Sequence, residues 1–98
     1  MITLKHYEAF LIFPSTTSIK DLNIFSLYYK KKIKNWGASF FESQIYFLNS
    51  KYINNLKTEK NLLFCLKFTF TIFPLNINLV RDIFKLNLKL KKSLIISK

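Results

Sequence analysis

The stretch SIKDLNIFSLYYKKKIKNWG, residues 18–37, contains the best-marked element of this chain. Its apolar residues recur every three or four positions, as they do on one face of an α-helix: Leu22, Phe25, Tyr29, Ile33 and Trp36. Ser18 is a favourable N-cap residue, and Gly37, the only glycine of the chain, can adopt the left-handed conformation that often follows a helix. The pattern predicts a helix over residues 18–35.

The segments on either side of this helix have the composition of β-strands. Residues 5–13, KHYEAFLIF, are aromatic and branched, stop at Pro14, and are apolar on both faces in their second half, which is typical of a central strand. Residues 38–50 are rich in Phe, Tyr and Ile and predict a second strand. Residues 62–70 predict a third strand, because they alternate. Its predicted core face consists of Leu62, Phe64, Leu66, Phe68 and Phe70.

The rest of the chain predicts a loop, a short helix and a last strand. Residues 51–60 are polar and predict the loop. Pro74 begins the short helix, whose apolar residues at helical spacing are Leu75, Leu79, Ile83 and Leu86. Residues 88–97 predict the last strand.

This order of elements, βαββαβ in a single domain over residues 1–98, is that of the ferredoxin-like α+β fold. Right-handed crossovers then place both helices on one face of a four-stranded antiparallel sheet and leave the other face open. A solvent-exposed sheet face rarely carries several large apolar groups unless a partner covers it. We therefore predict a protein-partner face lined by Phe10, Ile12 and Cys65.

The charge of the chain predicts a polyanionic partner. Sixteen basic residues stand against 5 acidic ones, giving a formal net charge of +11. Such an excess opposes compaction by self-repulsion unless a polyanion neutralises it. Nucleic acid is the first candidate and an anionic membrane surface the second. The longest apolar stretch, residues 62–75, is shorter than the roughly 20 residues of a spanning helix and contains Lys67, so no membrane span is predicted.

Nothing in the sequence indicates catalysis, a metal site, a cofactor or a small-molecule substrate. The five acidic residues are dispersed, and one glycine cannot form a glycine-rich phosphate loop. His6, the only histidine, is not part of a catalytic or metal-binding sequence motif, which favours an exposed or nucleic-acid-contacting side chain. Cys65, the only cysteine, lies in a strand, where a small packed residue is the more common role than a nucleophile. We predict a binding protein and not an enzyme.

Two groups of lysines are the candidates for phosphate contacts. One surrounds the end of the first helix and consists of Lys30, Lys31, Lys32 and Lys34; the other lies between the second helix and the last strand and consists of Lys85, Lys89, Lys91 and Lys92. A lysine run is ordinarily a solvated surface, but the charge excess favours a role in RNA binding. The third strand lacks the aromatic and glycine signature of RNA-recognition motifs, so the aromatic residues are interpreted as core.

Four segments together resemble the family of the bacterial-type ribosomal small-subunit protein six. They are HYEAFLIFP (residues 6–14), which is similar to its first strand; NWGA (35–38), similar to its helix exit; LLFCLKF (62–68), similar to its third strand; and FKLNLKLKKSLII (84–96), similar to its closing segment. Their order and spacing carry the resemblance over nearly the whole chain. The usual Leu-Ala-Tyr-Pro-Ile segment of the family appears here only as KYINNL, residues 51–56.

The resemblance implies a structural role in the small ribosomal subunit. Its implied partners are the central domain of the small-subunit rRNA, small-subunit protein eighteen and other small-subunit proteins. By position, it implies rRNA contacts at Lys5, His6, Lys57, Lys91 and Lys92, to which the second lysine group adds Lys85 and Lys89.

The preference for Lys, Asn, Ile, Phe and Tyr is what an AT-rich coding sequence yields, and organelle genomes are often AT-rich. We therefore expect a mitochondrial ribosome, with the plastid as the second choice. Two other functions stay open: a small basic subunit associated with a membrane, and an RNA-recognition domain acting off the ribosome.

Overall fold

The computed structural model describes residues 3–49 and 62–98. Its elements follow the predicted order: β1 (Lys5–Pro14), α1 (Ile19–Asn35), β2 (Ser39–Asn49), β3 (Leu62–Ile72), a 3₁₀ turn (Pro74–Asn76), α2 (Ile77–Lys85) and β4 (Lys92–Ser97). The loop predicted at residues 51–60 lies outside the described residues.

The strands form a four-stranded antiparallel sheet in the order β2–β3–β1–β4. β1 is central, as its sequence predicted: Tyr7 is opposite Phe70 of β3 on one side and Ser97 of β4 on the other. Alternate residues of β1 and β3 form one core with residues of both helices, so both helices pack on the same face. The predicted ferredoxin-like α+β fold is confirmed.

The helix that decided the prediction begins and ends where its sequence indicated. The Ser18 hydroxyl accepts a hydrogen bond from the Asp21 backbone N–H at 3.0 Å, which satisfies one donor of the first turn. Gly37 has φ +91°, a conformation that L side chains rarely adopt, and it turns the chain toward β2. Leu22, Tyr29 and Ile33 are buried against the sheet.

The four apolar residues whose spacing indicated the second helix do not all lie in the core. Ile83 is buried, but Leu75, Leu79 and Leu86 are exposed. The residues that face the core are Ile77, Val80, Ile83 and Phe84. Leu75 belongs to the 3₁₀ turn before α2, whereas Leu79 and Leu86 lie at the edge of the apolar side of α2 and the sheet covers the other part of that side. The Asn76 side-chain amide anchors this turn by donating to the Trp36 carbonyl at 2.9 Å.

Two further predictions need correction. The last strand begins at Lys92 and not at residue 88, because residues 87–91 form a turn: the Leu90 N–H donates to the Asn87 carbonyl at 3.2 Å. The third strand is not buried on one face only. Leu63 and Cys65 point away from the helices, yet both are fully buried, as is usual for a strand near the centre of a sheet.

Candidate nucleic-acid and protein interfaces

The structure divides the predicted rRNA-contacting residues between opposite ends of the sheet. Lys5 and His6 lie at the start of β1, whereas Lys92 is opposite Ile12, near the end of β1. Six residues of extended strand separate His6 from Ile12, a distance of about 20 Å. Lys57 lies outside the described residues. The predicted residues therefore do not form one patch.

We call Lys85, Lys89, Lys91 and Lys92 the junction cluster, because they surround the turn between α2 and β4. All four are exposed. The turn is held by specific hydrogen bonds: the Lys89 N–H donates to the Asn87 side-chain oxygen at 3.0 Å, and the Lys91 N–H donates to the Ile12 carbonyl at 2.7 Å. The backbone that carries these lysines is therefore positioned before any ligand binds, while their side chains extend into solvent.

Within the junction cluster, Lys89 is the residue with an acidic neighbour in the described part of the chain. Its Nζ lies 3.7 Å from the Asp21 carboxylate, and both side chains are well exposed. Exposed ion pairs of this kind contribute little to stability, so Lys89 can exchange Asp21 for a phosphate at low cost. Lys89 and Lys91 line a surface cavity of about 470 Å³ together with Thr16, Thr17 and Asp21, near the start of α1.

The opposite end of the molecule also gathers basic residues from distant parts of the sequence. The Lys98 N–H donates to the His6 carbonyl at 2.9 Å, which brings the last residue beside the first strand. The lysines in the last turns of α1 lie at this same end, since β2 starts opposite Thr71 and Thr71 is opposite His6. The sequence interpretation missed Lys98, because nothing in a sequence shows which strand will lie beside the chain end.

Phe10, Ile12 and Cys65 lie on the sheet face opposite the helices, and Ile12 is directly opposite Cys65. Ile12 and Cys65 are buried, however, and Phe10 is half-buried. The apolar groups that are accessible on this face come from β4, where Leu94 is opposite Phe10 and Ile96 is opposite Glu8. The role of Phe10, Ile12 and Cys65 in binding a partner stays a prediction.

Leu94 and Ile96 were missed because the segment KSLIIS is apolar on both of its faces. Ile95 packs against the core, and its two neighbours point the other way. The parity of apolar residues in β4 does not show which face meets the helices. Only the pairing with β1 determines it.

A charged group occupies the middle of this open face. The Glu8 carboxylate contacts Lys67 Nζ at 3.1 Å and Lys98 Nζ at 3.4 Å. The hydrogen bond from Lys67, together with the positive charges of both lysines, holds the pKa of Glu8 below its ordinary value against partial desolvation. Lys67 Nζ also lies 5.7 Å from the centroid of the Phe10 ring. Glu8 thus neutralises part of the basic charge on this face.

Cys65 has the properties of a packing residue. Burial raises the pKa of its thiol, so the thiol stays protonated at neutral pH, when it is a poor nucleophile. Its neighbour across the sheet is Tyr46, and burial together with a hydrogen bond to Cys65 raises the pKa of the Tyr46 hydroxyl to about 12.

Neither a metal centre nor a membrane span is found in the part of the chain that the structure describes. Residues 3–49 and 62–98 contain no group of three or more His, Cys, Asp or Glu side chains placed to hold a metal ion. Across the same residues, no helix has the length and apolar character that crossing a membrane requires.

These features define a small basic protein of the ferredoxin-like α+β class, with one open sheet face and a lysine cluster at a sheet end. Among solved structures, the 30S ribosomal protein S6 from Thermotoga maritima has the same fold, with a TM-score of 0.79. The match covers 98% of this chain and 89% of that chain, at 10% sequence identity. No protein-family model matches the sequence, and no curated protein matches it either.

Proposed function

We propose that this chain is a structural component of the small ribosomal subunit of an organelle, with the mitochondrion favoured over the plastid. The observation that carries the proposal is the structural match to a 30S ribosomal protein S6 over almost the whole chain. The charge supports it independently, because +11 on 98 residues suits a protein that lies against RNA. On this proposal the chain is not an enzyme and uses no cofactor.

The proposed RNA surface is the junction cluster, with Lys5 and His6 as a second contact at the other end of the sheet. Each lysine that meets a phosphate releases condensed counterions, so the affinity falls steeply as salt rises. Flexible lysines on a turn contact phosphates and do not read base edges, so we expect little dependence on base identity. The proposed target is the central domain of the small-subunit rRNA.

The open sheet face is the proposed site for small-subunit protein eighteen. Leu94, Ile96 and Phe10 provide apolar area there, and Glu8 with its two lysines provides a polar centre. Interfaces commonly combine an apolar core with such charged groups. Binding of this partner covers the face that no described helix covers.

The proposal predicts salt-dependent binding of the protein, together with small-subunit protein eighteen, to a central-domain rRNA fragment. We expect the logarithm of the affinity to fall linearly with the logarithm of the salt concentration. For about four phosphate contacts the slope is roughly −3 to −4. Filter binding or anisotropy at several salt concentrations measures this slope. The proposal is contradicted if the affinity for the fragment does not depend on salt and is no higher than the affinity for an unrelated RNA of equal length.

A further inference from the structure

The outer face of the helix pair is more apolar than a solvent-exposed surface ordinarily is. α2 buries Ile77, Val80, Ile83 and Phe84 against the sheet, and it also presents Leu79 and Leu86 to solvent. Leu86 is 79% exposed. The exposed polar residues Asn78, Arg81, Asp82 and Lys85 share one side of α2, and Leu79 and Leu86 widen its apolar side beyond the part that the sheet buries. Leu79 and Leu86 therefore belong to an apolar surface that the sheet does not cover.

α1 contributes to the same surface. Ile24 and Tyr28 are four residues apart, so they lie one above the other on the helix, and both are about half-exposed. Between the two helices lies a groove of about 350 Å³, which we call the helix groove. It is lined by Ile24, Phe25, Tyr28, Tyr29, Ile83, Leu86 and Asn87.

The polar group of the helix groove is already satisfied. The Asn87 side-chain amide donates to the Tyr29 hydroxyl at 2.8 Å, and its oxygen accepts from the Lys89 N–H at 3.0 Å. An apolar side chain that enters the groove therefore need not break a hydrogen bond. The groove thus suits apolar side chains better than a polar ligand.

The charged residues beside the groove indicate what kind of partner can bind there. Lys20 lies one turn before Ile24, and Lys31 follows Tyr28 by three residues, so both flank the apolar stripe of α1 on its own face. Asp21, the acidic residue of this helix, is engaged by Lys89 at 3.7 Å. Asp82 precedes Leu86 by one turn, so it is an acidic group at the α2 side of the groove, opposite the α1 stripe. The flanks of the α1 stripe are therefore positive.

Three occupants are disfavoured by these observations. A second copy of the chain would bring two molecules of charge +11 together, with their lysines facing one another. RNA would not bury the exposed leucines. A lipid surface meets flat or convex apolar faces, whereas this site is a groove between two helices.

We propose that the helix groove docks an amphipathic helix of a partner protein, with apolar residues along one stripe and acidic residues beside it. A third helix packs its ridge of side chains into the groove between the first two, as in helix-in-groove recognition. Its acidic residues pair with Lys20 and Lys31. This site lies on the side of the molecule opposite the open sheet face, so the protein connects two different neighbours. The inference does not depend on the ribosomal proposal.

The test uses two synthetic helical peptides of about 14 residues, or four turns, that share one leucine stripe. One has Glu beside the stripe and the other has Lys. Titrated into the ¹⁵N-labelled full chain, the Glu peptide is expected to shift the amide signals of residues 24, 28, 83 and 86. We expect the Lys peptide to bind at least about tenfold more weakly, as loss of the flanking ion pairs predicts.

Matched variants locate the site. Ile24→Gln and Leu86→Gln are each expected to weaken binding of the Glu peptide about tenfold, because each removes one apolar side chain from the groove lining. The control is Leu88→Gln, the same substitution at a residue that is 97% exposed and lies outside the groove lining. It is expected to leave the affinity unchanged, and unshifted spectra elsewhere show that each variant is folded.

Several outcomes overturn the inference. The inference is wrong if the Glu peptide shifts only the signals of residues outside the groove. It is also wrong if Leu88→Gln weakens peptide binding as much as the groove variants do. Equal affinity for the Glu and Lys peptides removes the charge argument. If phosphatidylserine vesicles broaden the groove signals and the Glu peptide has no effect on them, the surface binds a membrane. If the chain forms a concentration-dependent dimer through this surface, the occupant is a second copy.

Discussion

Phe84→Ala is expected to lower the free energy of unfolding by about 3–5 kcal/mol. Phe84 is fully buried, and its ring packs edge-on against Tyr29 at a centroid distance of 5.1 Å. Truncation loses this contact and leaves a cavity between α1 and α2. Because small domains have only about 5–15 kcal/mol of stability, the variant is expected to be close to unfolding. Urea denaturation followed by circular dichroism measures the change.

The matched control is Leu86→Ala, two residues further along the chain. Leu86 is one of the apolar residues whose spacing indicated the second helix, yet it is exposed in the structure. We expect a change within about 0.5 kcal/mol. If the two variants have comparable costs, or if Leu86→Ala has the larger one, then the phase of α2 described above is wrong.

The second large effect is expected from the junction cluster. Replacing Lys85, Lys89, Lys91 and Lys92 together by Gln removes up to four phosphate contacts. The salt slope of rRNA binding is then expected to become shallower by roughly 3, and the affinity near physiological salt to fall on the order of a hundredfold. Because phosphate contacts carry no sequence information, matched and unrelated RNAs are expected to lose affinity in similar proportion.

The control removes the same charge from the other end of the molecule. Lys30, Lys31, Lys32 and Lys34 in α1 are replaced by Gln, so the net charge of the two variants is equal. We expect this control to retain most of the affinity, with the small loss that a lower overall charge brings. Equal losses for both variants would show that total charge, and not the position of the junction cluster, determines binding.

The parts of the fold that could be predicted are those where several local signals agree. For α1, the apolar spacing, the Ser18 cap and Gly37 all indicated the same helix, and the structure places it at Ile19–Asn35. β1 was predicted as central because it is apolar on both faces, and it does pair on both sides. Agreement between independent local preferences is what makes a segment adopt one structure.

The errors occurred where the spacing of apolar residues allowed more than one answer. In α2, Leu79 and Leu86 lie beside the buried residues Ile77, Val80 and Phe84 on one wide apolar side, and the spacing does not show which part of that side the sheet covers. β4 begins late because the side chain of Asn87 stabilises a turn that its neighbours do not reveal. Both choices depend on contacts between distant segments.

The sequence indicated which kinds of residue form the candidate interfaces, but it did not show which of them lie together on one surface. The lysines were identified from charge, yet only the strand pairing shows that Lys5 and Lys92 lie at opposite ends of the sheet. Similarly, Ile12 and Cys65 were correctly placed on the face away from the helices, but their burial leaves Leu94 and Ile96 as the accessible apolar groups. The accessibility of a side chain depends on its neighbours across the sheet.

The central claim, a place in the small ribosomal subunit of an organelle, is tested most directly by sedimentation. Mitochondrial lysate containing the epitope-tagged chain is separated on a sucrose gradient under conditions that dissociate the subunits. The account predicts that the chain migrates with the small-subunit rRNA and moves to the top of the gradient after ribonuclease treatment. A chain that stays with free protein, migrates with the large subunit, or floats with membranes contradicts it.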